Sequence, residues 1–226
     1  MGTRRNNCKI NEEIFMKKFI SLFSGGLDSP VAAYLIAKNG FEPIFLSFLT
    51  SDDNENSLKL KIINILKKLK TQIDHRIKVY FINHDPNLSV FQQNCERKLT
   101  CILCKRMMLR IAIAIGKREG TNLVVTGDIL GEQASQTLDN LIEYNDLMRN
   151  FIIIRPLIGW DKLEVTDLNK KLGLYEITSL KSASCQFNPI YPETHAKKHE
   201  IIKAELLYNV SEIVENSLKR AEILEL

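Results

Sequence analysis

Residues 19–30, FISLFSGGLDSP, join a short apolar run to a helix-forming segment through two glycines, two serines and an aspartate. Phe19 to Phe23 is rich in Ile, Leu and Phe, as strands covered on both faces are, and helical character begins at Pro30. A turn of this kind points its backbone N–H groups, and the N-terminus of the helix, at one spot beyond the carboxyl end of a sheet, where an anion is favoured. The glycines allow positive φ and close approach of a ligand to the main chain. The string has neither the lysine of GxxxxGK nor the spacing of GxGxxG, so it is neither of the two common phosphate loops. Taken alone, "GG" also fits a purely structural strand-to-helix turn.

Outward from this turn, four more apolar runs follow: Ile44 to Phe48, Val79 to Ile82, Leu123 to Thr126 and Phe151 to Ile154. Between them lie the helical stretches Pro30–Asn39, Ser57–Ile73, Leu88–Arg118 and Gly131–Tyr144. The alternation predicts an α/β fold, a five-stranded parallel sheet with helices on both faces, wound by right-handed crossovers. Asp161–Leu172 and Lys197–Leu224 each read as a further helix, the second amphipathic. At 226 residues and 45% hydrophobic, the chain can bury one good core. The expected organisation is an N-terminal extension over 1–15, one main domain over 16–195 and a C-terminal helical segment over 196–226.

No apolar run reaches the ~18 residues of a membrane span and no signal-peptide core is visible, so no membrane partner and a cytoplasmic location are expected. Five cysteines without an export signal suit metal, redox or catalytic chemistry rather than a disulfide framework. Arg97 to Arg118 holds seven basic residues and no acid, and Ser57 to Lys78 seven against only Asp74. Such blocks suit a phosphate backbone, or are solvated helix faces.

The full string SGGLDS resembles the pyrophosphate loop of the PP-loop ATP pyrophosphatases, an adenine nucleotide alpha hydrolase-like fold. That resemblance implies ATP and magnesium as cofactors, with Ser24, Gly25, Gly26, Asp28 and Ser29 holding pyrophosphate and helping to place the metal. Further along, CILCKRMMLRIA (101–112), VVTGDILGEQASQTLDNL (124–141), IIRPLIGWDKLEV (153–165) and LGLYEITS followed by SASCQFNP (172–189) resemble successive motifs of the tRNA 4-thiouridine synthetase (ThiI) family. The resemblance implies adenylation of a uridine carbonyl oxygen, which then leaves with AMP as sulfur replaces it. Asp128, at the end of a strand, would belong to the ATP site, or be a helix N-cap. Gln133, Ser135 and Gln136 would approach the nucleotide and Phe48 the adenine, or simply pack. Lys105 and Arg106 would pair with phosphate, as would Arg110 on the same helix face as Arg106. Asp161 and Lys162 fit a family motif or an exposed ion pair.

Cys185 matches the family's sulfur-handling cysteine. Family members with a CxxC such as Cys101–Cys104 plus this later cysteine are associated with an iron–sulfur cluster held by three thiolates, which leaves one iron open to sulfide. Cys101, Cys104 and Cys185 are therefore the expected ligands, and Cys185 with Asp128 the expected catalytic residues. Three alternatives remain: zinc completed by His195 or Cys95, a redox or persulfide-linked pair, and a buried structural thiol at Cys185. Cys95 itself reads as structural, and Cys8 falls in the N-terminal extension.

The resemblance also implies tRNA as partner, with sulfide or a persulfide as sulfur donor; a homodimer is compatible with it. Full-length relatives carry ferredoxin-like and THUMP domains, and some a rhodanese domain. This chain is expected to stand without them, and tRNA binding would then need its basic segments, a second subunit or a separate THUMP-type protein. The competing functions are sulfur transfer to a small molecule such as a thiamine thiazole precursor, and a noncatalytic nucleotide-binding module.

Overall fold

The computed structural model describes residues 17–50, 57–180 and 185–226; Cys8 and the rest of the N-terminal extension lie outside the described residues. The strands are β1 (Lys18–Leu22), β2 (Glu42–Leu49), β3 (Lys78–Asn83), β4 (Leu123–Val125), β5 (Ile152–Ile154) and β6 (Glu222–Glu225). They form one sheet in the order β5-β4-β1-β2-β3-β6. The first five are parallel, as their apolar runs require, and β6 adds a sixth, antiparallel to β3. The order reverses beside β1: the chain moves outward through β2 and β3, then returns to place β4 on the other side of β1. That reversal opens a crevice at the carboxyl ends of β1 and β4, the place where open α/β sheets take ligands.

Side chains alternate strictly across the sheet. Phe19, Phe23, Phe45, Val79, Phe81 and Val125 face one layer, formed by α1 (Asp28–Ala37), α2 (Ser57–Lys70) and α6 (Lys162–Lys171). Ile20, Leu22, Ile44, Leu46, Ile82 and Val124 face the other, which contains α3 (Asp85–Asn94), α4 (Thr100–Glu119) and α8 (Lys198–Glu205). Helices on both faces are thus dictated by strands that are apolar on both.

Three expected helices are more broken than the periodicity implied. The stretch from Leu88 to Arg118 divides into α3 and α4, because Cys95 takes an extended conformation after α3. Gly131–Tyr144 contains a 3-10 turn over Ala134–Gln136 and the short helix α5 (Leu138–Ile142), begun at Thr137, whose hydroxyl accepts from the Asn140 N–H at 3.3 Å. The final helix expected over 197–224 is α8, then α9 (Val210–Lys219), then β6. Asn209 caps α9 by accepting from the Glu212 N–H at 3.1 Å, which starts a new helix where a continuous one was expected. A short helix, α7 (Tyr175–Thr178), follows α6. No helix among the described residues is long and apolar enough to cross a membrane.

Candidate active site

The loop after β1 is built from its own side chains. The Ser24 N–H donates to Ser29 Oγ at 3.1 Å and the Gly26 N–H to Ser24 Oγ at 3.3 Å. Gly25 has φ +74°, and a Cβ there would stand 3.0 Å from Ile62 Cγ1, so the position requires glycine on both counts. The first turn of α1 has no side-chain cap, which leaves the helix N-terminus available to an anion. Opposite it, Gly127 follows β4, and a Cβ there would meet Ser29 N at 2.9 Å and Ser29 Cα at 3.0 Å. The two loops at the switch point therefore touch backbone to backbone.

Between them opens a cleft of about 480 Å³, lined by Ser24, Asp28, Ser29, Phe48, Lys105, Asp128, Gln133, Gln136, Cys104 and Cys185, with His84 and Met108 among the rest. A volume of this size suits a small organic ligand. Asp128 is 1% exposed and held by four groups: Lys105 Nζ at 2.7 Å, Thr126 Oγ1 at 2.7 Å, Arg155 Nε at 3.3 Å and Gln136 Nε2 at 3.4 Å. Burial raises its pKa, but the charge of and hydrogen bond from Lys105, with Thr126 and Arg155, lower it by more, so it stays a carboxylate. It caps no helix, and its oxygens are taken up in holding Lys105 inside the cleft. Asp28 receives Lys162 Nζ at 2.7 and 2.9 Å, and Lys162 also lies 3.5 Å from Glu132. Asp161 caps α6 in a capping box with Glu164, so its neighbour Lys162 is aimed across at α1.

Arg106 takes a different place from the one expected. Its guanidinium is 1% exposed, outside the cleft, and bound to Asp146 at 2.7 and 3.0 Å, to Glu205 at 2.8 and 3.1 Å, and to the Glu143 carbonyl. Arg110 also pairs with Glu205, and Lys98 with Glu96, Glu193 and Glu200. Much of the basic block over 97–118 is thus neutralised internally, mostly by acids brought from distant sequence. Ser135 turns its carbonyl, not its side chain, to use, accepting from the Tyr144 hydroxyl at 3.1 Å.

The thiols separate into two groups. Cys95 is half-buried against Ala204, whose carbonyl it contacts at 3.7 Å, as expected for a structural residue. Cys101, Cys104 and Cys185 are free thiols close enough that Cys185 raises the pKa of both others, and Cys104 and Cys185 line the cleft. Cys101 donates to Asn188 Oδ1 at 3.3 Å, which ties α4 to the loop after Cys185. Burial first, then the neighbouring Cys101 and Cys185, push the Cys104 thiol well above the usual range. A thiol that cannot ionise unaided is a poor nucleophile but a sound metal ligand, because a bound metal displaces its proton. Neither expected zinc partner joins them: Cys95 is elsewhere and His195 pairs with Asp139 at 2.6 Å. Among the described residues no three His, Cys, Asp or Glu side chains converge on a point that a single metal ion would fill. Ligands of a cluster need not converge in that way, since each binds a different iron.

Sequence reasoning missed His84, Arg155 and Gly127. His84 is 1% exposed, and burial pushes its imidazole down to about 3, so the ring is neutral. Its signal was its position, one residue beyond the carboxyl end of β3.

Comparison with known proteins agrees with this geometry. Residues 15–210 match the family model described as Thiamine biosynthesis protein (ThiI). A "Probable tRNA sulfurtransferase" of Methanosarcina mazei is 40% identical over 92% of this chain and 52% of its own length. One from Geobacillus kaustophilus is 33% identical over the same shares. This chain spans about half the length of these curated relatives. A crystal structure of a 4-thiouridine synthetase–RNA complex with bound ATP superposes with a TM-score of 0.87 at 28% identity, covering 93% of this chain and 55% of that one. The NMN synthetase of Francisella tularensis shares the fold alone, with a TM-score of 0.53 at 19% identity over 89% of this chain and 82% of its own. With the family model matching residues 15–210, the chain belongs to the ThiI family.

Proposed function

We propose that this chain is an ATP-dependent tRNA sulfurtransferase that makes 4-thiouridine. One observation carries the reading: the SGGLDS loop and the thiols of Cys104 and Cys185 line the same cleft. The ATP-bound synthetase superposed above and the relatives' names support it.

In this reading the N–H groups of the loop and of the first turn of α1 hold the pyrophosphate of ATP, with Ser24 and Ser29 fixing the loop's shape. Asp28, released from Lys162, would hold magnesium, and Lys162 and Lys105 meet the phosphate oxygens. Phe48, Gln133 and Gln136 line the nucleoside end. The uridine O4 attacks the α-phosphate and pyrophosphate leaves. Hydrosulfide then attacks C4, and AMP departs carrying the former carbonyl oxygen, with the surplus proton released to water. Cys101, Cys104 and Cys185 would be the thiolates holding an iron–sulfur cluster, which would supply the site where inorganic sulfide is held for transfer. Persulfide relay through Cys185, its thiol exposed at the cleft mouth, is the competing route for sulfur.

With the basic block of α4 largely paired, tRNA is gripped mainly by an RNA-binding unit of the THUMP type, acting with this chain. The test uses the chain with iron and sulfide restored anaerobically, ATP, magnesium, sulfide and unthiolated tRNA, with and without such a unit. The reading expects ATP binding and 4-thiouridine in the complete mixture. ATP turnover with a thiamine precursor and none with tRNA would transfer the reading to a small molecule. Failure to bind ATP would leave a module without catalysis.

A further inference from the structure

His84 lines the same cleft as Cys104 and the SGGLDS loop, and nothing in the adenylation chemistry uses it. Its Nε2 lies 3.3 Å from Cys104 Sγ. Its other nitrogen, Nδ1, lies 3.1 Å from the Asn87 amide nitrogen Nδ2. An amide NH₂ only donates, so Nδ1 must accept, and the ring's single proton must sit on Nε2, facing the sulfur. Asn87 is fixed in turn by Ser217 of α9, with Nδ2 3.0 Å from the hydroxyl oxygen and the hydroxyl donating back to Oδ1 at 3.4 Å. Asn87 and Ser217 are both 6% exposed, and Phe48 closes one edge of the imidazole with ring centroids 4.8 Å apart. The backbone is fixed as well, since the His84 N–H donates to the Leu49 carbonyl at 2.8 Å.

We propose that His84 is a positioning residue that donates its Nε2–H to the sulfur of Cys104, its tautomer set by Asn87 and Ser217, so that Cys104 is held as an oriented, charge-stabilised thiolate ligand. The role deepens the cluster reading above and rests on it. A buried thiolate accepts few hydrogen bonds, so one directed donor is a large share of its stabilisation. The second layer reaches back to α9, near the C-terminus, so a helix remote in sequence orients a group in the cleft.

The first test needs no metal. The protein contains four histidines, and ¹⁵N-histidine spectra of the reduced, metal-free chain resolve their tautomers, with His84→Gln assigning the signal. A neutral Nε2–H ring supports the proposal; an Nδ1–H ring or an imidazolium overturns it. The second test measures iron retention against a chelator and midpoint potential after anaerobic restoration of the cluster. His84→Phe, which keeps a ring and loses the donor, should weaken iron retention about 10- to 100-fold and lower the potential. Asn87→Asp, whose carboxylate accepts from Nδ1–H and so reverses the tautomer, should weaken it similarly while keeping the histidine. Both variants matching wild type in retention and potential would overturn the proposal. If wild type takes up no iron, the cluster reading falls, and the tautomer spectrum still decides whether His84 donates to Cys104.

Discussion

Arg106→Met separates two roles for a residue whose sequence context suggested phosphate. In the folded protein the guanidinium makes bidentate contacts with both Asp146 and Glu205 and reaches the Glu143 carbonyl, at 1% exposure. Met fills similar volume but leaves Glu205, whose side chain is only 12% exposed, with Arg110 alone. Removing one partner of a buried ion pair costs about 3–5 kcal/mol, because the remaining charge stays desolvated. For a chain of this size 1 kcal/mol moves Tm by about 2–4 °C, so the variant should melt roughly 6–20 °C lower. ATP affinity, measured by calorimetry at a temperature where both proteins are folded, should stay within about twofold, since the residue lies outside the cleft. Arg106→Met/Glu205→Gln should recover part of the loss by removing the stranded charge. A variant with unchanged Tm and ATP affinity reduced tenfold or more would refute the reasoning and return Arg106 to the nucleotide.

Gly127→Ala places a Cβ 2.9 Å from Ser29 N and 3.1 Å from the Asp28 carbonyl carbon, so the nucleotide loop must shift; an overpacking cost of about 1–3 kcal/mol predicts roughly 5- to 150-fold weaker ATP binding, and affinity within twofold of wild type would contradict it. Burial raises the Glu205 carboxyl, but hydrogen bonds from Arg110 and Arg106 lower it by more, to a net value below the ordinary 4.5. A depressed folded pKa contributes stability that is complete above the unfolded value and fades as pH falls through the folded one, so Tm should drop below pH ~4.5, and drop less in the Arg106→Met/Glu205→Gln variant. Cys95→Ala should retain wild-type iron after anaerobic restoration while Cys101→Ala loses most of it, as measured by iron and acid-labile sulfide; equal losses would place Cys95 among the ligands.

The five parallel strands were legible because each is apolar on both faces, and the turn after β1 because glycine, serine and aspartate occupy the link that such a strand must make to a helix. The sixth strand was hidden by the helical character of its surroundings; the Asn209–Glu212 cap that ends the long-helix reading is a local signal, but the pairing of Glu222–Glu225 with β3 is set by tertiary contact. Charge was the least legible property. Lys105 and Arg106 are adjacent on α4, yet one turns into the cleft toward Asp128 and the other onto the carboxylates of Asp146 and Glu205 and the Glu143 carbonyl, and no local pattern distinguishes them. His84 escaped notice because a lone histidine has no motif; only the packing of β3, α4 and α9 brings it to Cys104.

The central claim is that ATP activation and the cysteine group serve one reaction. Mass spectrometry of a single mixture containing the chain with its cluster restored, an RNA-binding unit, magnesium, ATP, sulfide and unthiolated tRNA reads it directly. AMP and pyrophosphate should form one for one with 4-thiouridine, and Cys185→Ala should abolish the thiolated product. ADP as the nucleotide product, or undiminished 4-thiouridine from Cys185→Ala, would contradict the account.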